Sequence, residues 1–109
     1  MKRLILAALF STLLIGPVFA ATQFGPTSVA LIQVMSDDFP DAGHPGGILF
    51  TTASMPASIQ RFIIRSTDSA LEMYLATIQK ARELGKTIYV TYNVDPANST
   101  NGIVVSLWY

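Results

Sequence analysis

The chain contains no cysteine. No disulfide can brace it, and no thiolate can act as nucleophile or metal ligand. It has a single histidine, His44, which excludes sites built from several imidazoles and leaves any Ser/His/Asp arrangement dependent on that one ring. No nucleophile elbow accompanies it. Charge is also scarce, at 13% of residues with seven basic and seven acidic side chains, so there is no basic stripe of the kind nucleic acid requires. Gly43, Gly46 and Gly47 are not followed by the lysine and helix of a phosphate-binding loop. Asp37, Asp38, Asp41 and His44 crowd one segment, but their spacing is not that of an EF-hand, and the preferred reading is an acidic turn in solvent. The sequence therefore points away from an enzyme, with no catalytic residues, no metal and no cofactor expected.

What is present begins with the three parts of a secretory signal. Lys2 and Arg3 supply a positive start, Leu4 to Ile15 an apolar run, and Gly16-Pro17 a break before Val18-Phe19-Ala20, where a signal peptidase would cut after Ala20. The expectation is a signal peptide over 1–20 and one small domain over 21–109, secreted or periplasmic, with no membrane span after processing. Without Lys2 and Arg3, five basic side chains face seven acidic ones, a net charge near −2. A domain this small, without disulfides, has a thin core, and assembly into an oligomer is one way to compensate.

Within 21–109, Thr27 to Ser36 (TSVALIQVMS) reads as a strand, with Ala30, Ile32 and Val34 on one face and Val29, Leu31 and Met35 on the other. Asp37 to Gly47 reads as a loop. Further strands are expected over Ile48 to Ala53 and Ile59 to Arg65, the latter with Phe62 and Ile64 opposite Arg61, Ile63 and Arg65. A helix follows. Ser69 with Glu72 fits a capping box, Thr67 and Ser66 are alternative caps, and Gly85 is a C-terminal stop. Leu71, Tyr74, Leu75, Ile78 and Ala81 form its core stripe. Met73, Thr77, Lys80 and Leu84 form a second stripe, either an ordinary solvated face or a contact between subunits. Lys86 to Asn93 alternates as a strand, Val94 to Gly102 reads as turn-rich with Asn101-Gly102 as the turn, and Ile103 to Tyr109 closes the chain.

The order is mainly β with one helix, β-β-β-α-β-β, which is that of a five-stranded OB-fold barrel. The stretch STDSALEMYLATIQKARELGKTIYVTYNVDPANSTNGIVVSLWY resembles the C-terminal half of the B subunits of bacterial toxins such as Shiga toxin and cholera toxin. In that family a helix ends near a short turn, an alternating strand runs into an Asn-containing polar loop, and a last strand closes the chain. The resemblance implies a ring of five OB-folds with helices at the centre, binding a cell-surface glycan or protein receptor, beside a possible separate catalytic subunit. The residues expected at a ligand are Tyr92, Asn93 and Trp108, since sugars pair an apolar ring face with a polar edge; the alternative is that these aromatics fill the barrel or a subunit contact. Met73, Thr77, Lys80 and Leu84 are the expected oligomer contact. The competing expectation is a monomeric periplasmic OB-fold protein that binds or inhibits another protein.

Overall fold

The structure, a computed structural model, describes residues 21–36 and 44–109. The expected signal segment 1–20 and the loop acids Asp37, Asp38 and Asp41 lie outside the described residues. Five strands and one helix follow in the expected order: β1 (Thr22–Val34), β2 (Ile48–Thr52), β3 (Arg61–Ile64), α1 (Leu71–Leu84), β4 (Thr87–Asp95) and β5 (Asn98–Trp108). The sheet closes into a barrel in the order β1-β2-β3-β5-β4, an OB-fold-like arrangement. All neighbours are antiparallel except β3 with β5, which run parallel over Arg61–Ile63 and Asn101–Ile103.

Closure depends on β1, which pairs with β4 through Thr22–Ser28 and with β2 through Val29–Val34. One strand can serve two neighbours because it bends. Its register shifts between Phe24 and Thr27 and again between Val29 and Leu31, and an irregularity of this kind turns a strand and increases its twist. At the first shift Gly25 has φ +135°, and a Cβ there would lie 2.6 Å from the Ile88 carbonyl oxygen. Only glycine fits that bend. Gly25-Pro26 therefore lies inside a strand that begins at Thr22, not at Thr27 as the sequence suggested. The second shift changes the alternation, so Val29 is buried in the barrel core and Ile32 packs against the same core. The expected separation of those two residues onto opposite faces does not hold.

The interior is apolar. Phe50, Phe62, Ile64, Ile78, Ile88, Val90 and Val104 are fully buried, and the Phe50, Phe62 and Tyr92 rings form a chain with centroids 5.2 and 5.6 Å apart. Each such side chain contributes about 1.5–3 kcal/mol relative to exposure. A second small cluster of Met35, Leu49, Ile63 and Ile103 is separate from this core. Ile63 thus parts from Phe62 and Ile64, as alternation in β3 requires.

α1 packs on β1, β4 and β5 with the expected stripe: Ile78 and Ala81 are buried, and Leu71, Tyr74 and Leu75 pack against the core. Its start differs from expectation. Tyr74 N–H donates to the Ala70 carbonyl, which makes Ala70 the cap, while Asp68 Oδ1 accepts Ala70 N–H at 2.9 Å. An aspartate turn two residues earlier thus replaces the Ser69 capping box. Gly85 ends the helix as expected, at φ +69°.

The β4–β5 connection is also tighter than expected. Pro96 and Ala97 form the turn, and Asn101 and Gly102 lie within β5, both buried. Side chains hold the turn: Asp95 Oδ1 accepts Ala97 N–H at 2.9 Å, and Asn98 Oδ1 accepts Thr100 N–H at 3.1 Å. Farther along, a register shift opposite Thr91 and Tyr92 leaves Val105 outside the regular pairing. Val104 and Leu107 consequently both pack against the core, contrary to strict alternation. The Val105 carbonyl is free to accept the Tyr74 hydroxyl at 2.9 Å, tying α1 to β5.

Candidate functional site

Two groups of polar and aromatic side chains stand apart from the core. The first lies on the outside of the barrel across β1, β4 and β5. In β4, Ile88, Val90 and Tyr92 are buried, and Thr87, Tyr89, Thr91 and Asn93 take the opposite face. Register places Tyr89 beside Trp108, and Thr91 between Gln23 and Ser106. The Tyr89 and Trp108 rings stack, with centroids 5.4 Å apart and planes within 11°. Tyr89 Cδ2 also lies 3.2 Å from where a Gly25 Cβ would be, so the bend in β1 accommodates the ring on its other side. Trp108 is 40% exposed and Tyr109 51%.

The three residues expected at a ligand are not brought together. Tyr92 is 6% exposed and packs on Phe62 inside the barrel, so its ring serves the core. Asn93 is half-buried and sits beside Ile103, while Trp108 pairs with Tyr89 four residues back along β4, about 13 Å away at strand rise. Tyr89 was missed as the partner of Trp108. Alternation alone carried the signal, because it puts Tyr89 and Tyr92 on opposite faces.

The outer stripe of α1 is where the sequence placed it. Met73 is 72% exposed and Leu84 52%, Lys80 is exposed, and Thr77 is half-buried with its hydroxyl donating to the Met73 carbonyl at 2.8 Å. A shallow open depression lined by Ala76, Gln79, Lys80, Arg82 and Glu83 runs along the helix.

The second group is a chain of side chains between β3, the β4–β5 turn and the segment before β2. Arg61 Nε donates to Asn101 Oδ1 at 2.8 Å, Asn101 Nδ2 donates to Asp95 Oδ2 at 3.3 Å, and His44 Nε2 donates to the same oxygen at 2.7 Å. Burial pushes the Asp95 carboxyl up, but bonds from His44, Ala97 and Asn101 and the charge of His44 outweigh it and hold the group below its ordinary value. Sequence reasoning had His44 beside the loop acids; the structure pairs it with Asp95 on a distant turn. Among the described residues no group of three or more His, Cys, Asp or Glu is placed to hold a metal ion, and no helix is long and apolar enough to cross a membrane.

Comparison with known proteins adds no relative to this geometry: no family model, no curated protein and no solved structure matches the chain.

Proposed function

We propose that this chain is a secreted binding module that assembles into a ring and recognises a cell-surface glycan or receptor, in the manner of a bacterial toxin B subunit and without catalysis of its own. What carries the reading is a closed small barrel that leaves two different apolar faces uncovered at once. One is the α1 stripe, with Met73 and Leu84 exposed; the other is the β4–β5 outer face, with Trp108 and Tyr109 exposed. Leu31, Val34 and Val94 are exposed elsewhere, but these two faces each carry more than one large apolar group, which is surface suited to partners, one for the chain's own copies and one for a ligand. Any catalytic chemistry then belongs to a separate subunit.

The test is the mass of the chain cleaved after Ala20, by native mass spectrometry, followed by a glycan array. Five copies are expected, with Met73→Asp and Leu84→Asp together releasing monomers that remain folded. A monomer that retains no glycan would end this reading and leave the monomeric periplasmic inhibitor or binding protein in its place.

A further inference from the structure

We propose that the outer face of β1, β4 and β5 is a site for an uncharged, pyranose-containing glycan, with Trp108 backed by Tyr89 under the sugar's C–H face and Thr91, Ser106 and Gln23 at its hydroxyl edge. The inference rests on the glycan-binding reading above and specifies where, and for which class of sugar, that binding occurs.

Three observations converge on it. The first is the aromatic pair. Tyr89 is flanked by the Gly25 backbone on one side and Trp108 on the other, so Trp108 is the ring with a face to offer. β3 pairs with β5 only over Asn101–Ile103, so among the described residues no strand pairs with β5 beside Trp108 on its far side. A ring held by a stacked neighbour loses little freedom when a ligand settles on it, and large rigid aromatics give contact area at low entropic cost.

The second is a row of unspent polar groups. Gln23, Thr91 and Ser106 are neighbours in register, on the same face as Tyr89 and Trp108. The row lies two residues along, about 7 Å at strand rise, which is the scale of one pyranose and its substituents. Among the described residues, no side-chain hydrogen bond engages the Thr91 or Ser106 hydroxyl or the Gln23 amide. Hydroxyls and amides both donate and accept, as sugar hydroxyls do. An apolar partner laid on this row would strand those groups, whereas a sugar edge pairs them.

The third is charge. Thr22–Ser28, Thr87–Asn93 and Val104–Trp108, which together make this face, contain no Asp, Glu, Lys or Arg. Within these strands a sialic acid carboxylate, a sulfate or a phosphate would meet no counter-charge, Lys86 lying just before them. The complementary ligand is a neutral one.

The chain's only tryptophan is Trp108, so its fluorescence reports this face directly. The purified protein would be titrated with lactose and chitin-type neutral oligosaccharides, and with sialylated and sulfated counterparts of the same length. Neutral sugars are expected to shift the emission saturably, and the anionic groups to add no affinity. Ser106→Ala and Thr91→Val should each weaken binding about fivefold, the scale of one neutral hydrogen bond, with the thermal midpoint unchanged. Array binding with silent Trp108 emission, or binding only of sialylated or sulfated forms, overturns the site while leaving glycan recognition intact. Emission that follows protein concentration and ignores sugar makes the face a contact between copies and also overturns it. Retention of no glycan at all removes both this site and the glycan-binding reading.

Discussion

Asp95 concentrates more interactions than any other charged side chain described, and its protonation state sets what they are worth. Its carboxylate takes hydrogen bonds from His44, the Ala97 N–H and Asn101, and Asn101 passes the connection on to Arg61. Because these donors hold its ionisation below the ordinary carboxylate range despite burial, the folded state favours the charged form. The resulting stability is fully present above the unfolded value, about 3.9, and is lost as pH falls through the lower folded value. Thermal melts of wild type and Asp95→Asn from pH 7 down to 2.5 should therefore converge. The variant starts about 1–2 kcal/mol less stable and loses less on acidification; parallel curves would show that the carboxylate charge contributes nothing.

At the scale of elements, the irregular positions govern the shape. Gly25 combines φ +135° with a Cβ direction pointing at the Ile88 carbonyl, so Gly25→Ala should lower stability by about 1–3 kcal/mol through backbone strain alone. The same change should disturb Tyr89 and hence Trp108 emission; a variant with the wild-type urea midpoint and spectrum would refute the account. These positions also mark where the sequence stopped being legible. The alternation of Ile88, Val90 and Tyr92 and the helical repeat from Leu71 to Ala81 reflect burial on one face, and both were readable. Register shifts leave no such trace. Ala30 and Val105 look like ordinary strand residues, yet the shifts beside them move Ile32 and Leu107 onto the core side. Asn101-Gly102 has turn chemistry, but pairing with Arg61 and Phe62 of β3 holds it in a strand, and Asp68, not the expected Ser69 capping box, meets the backbone at the start of α1. The candidate site suffered most. Whether Tyr89 or Tyr92 faces outward follows from alternation, but which aromatic meets Trp108 depends on pairing between strands.

For the molecule as a whole, a closed barrel leaves few ways to open in parts. With every strand paired on both sides somewhere along its length, urea unfolding followed by Trp108 fluorescence on β5 and by far-UV circular dichroism should give one shared midpoint. Two separated transitions would mean that β5 or α1 detaches first. The seam that completes the circle joins Thr22 to Tyr92, so the first strand to emerge from the ribosome must await one of the last. At ordinary synthesis rates that delay is roughly 4–14 s, far longer than the microseconds a hairpin needs to form. During it, Val29–Val34 can already pair with β2, but Thr22–Ser28 has no β4 to meet. The barrel therefore closes only after β4 has been made, whatever hairpins form before it.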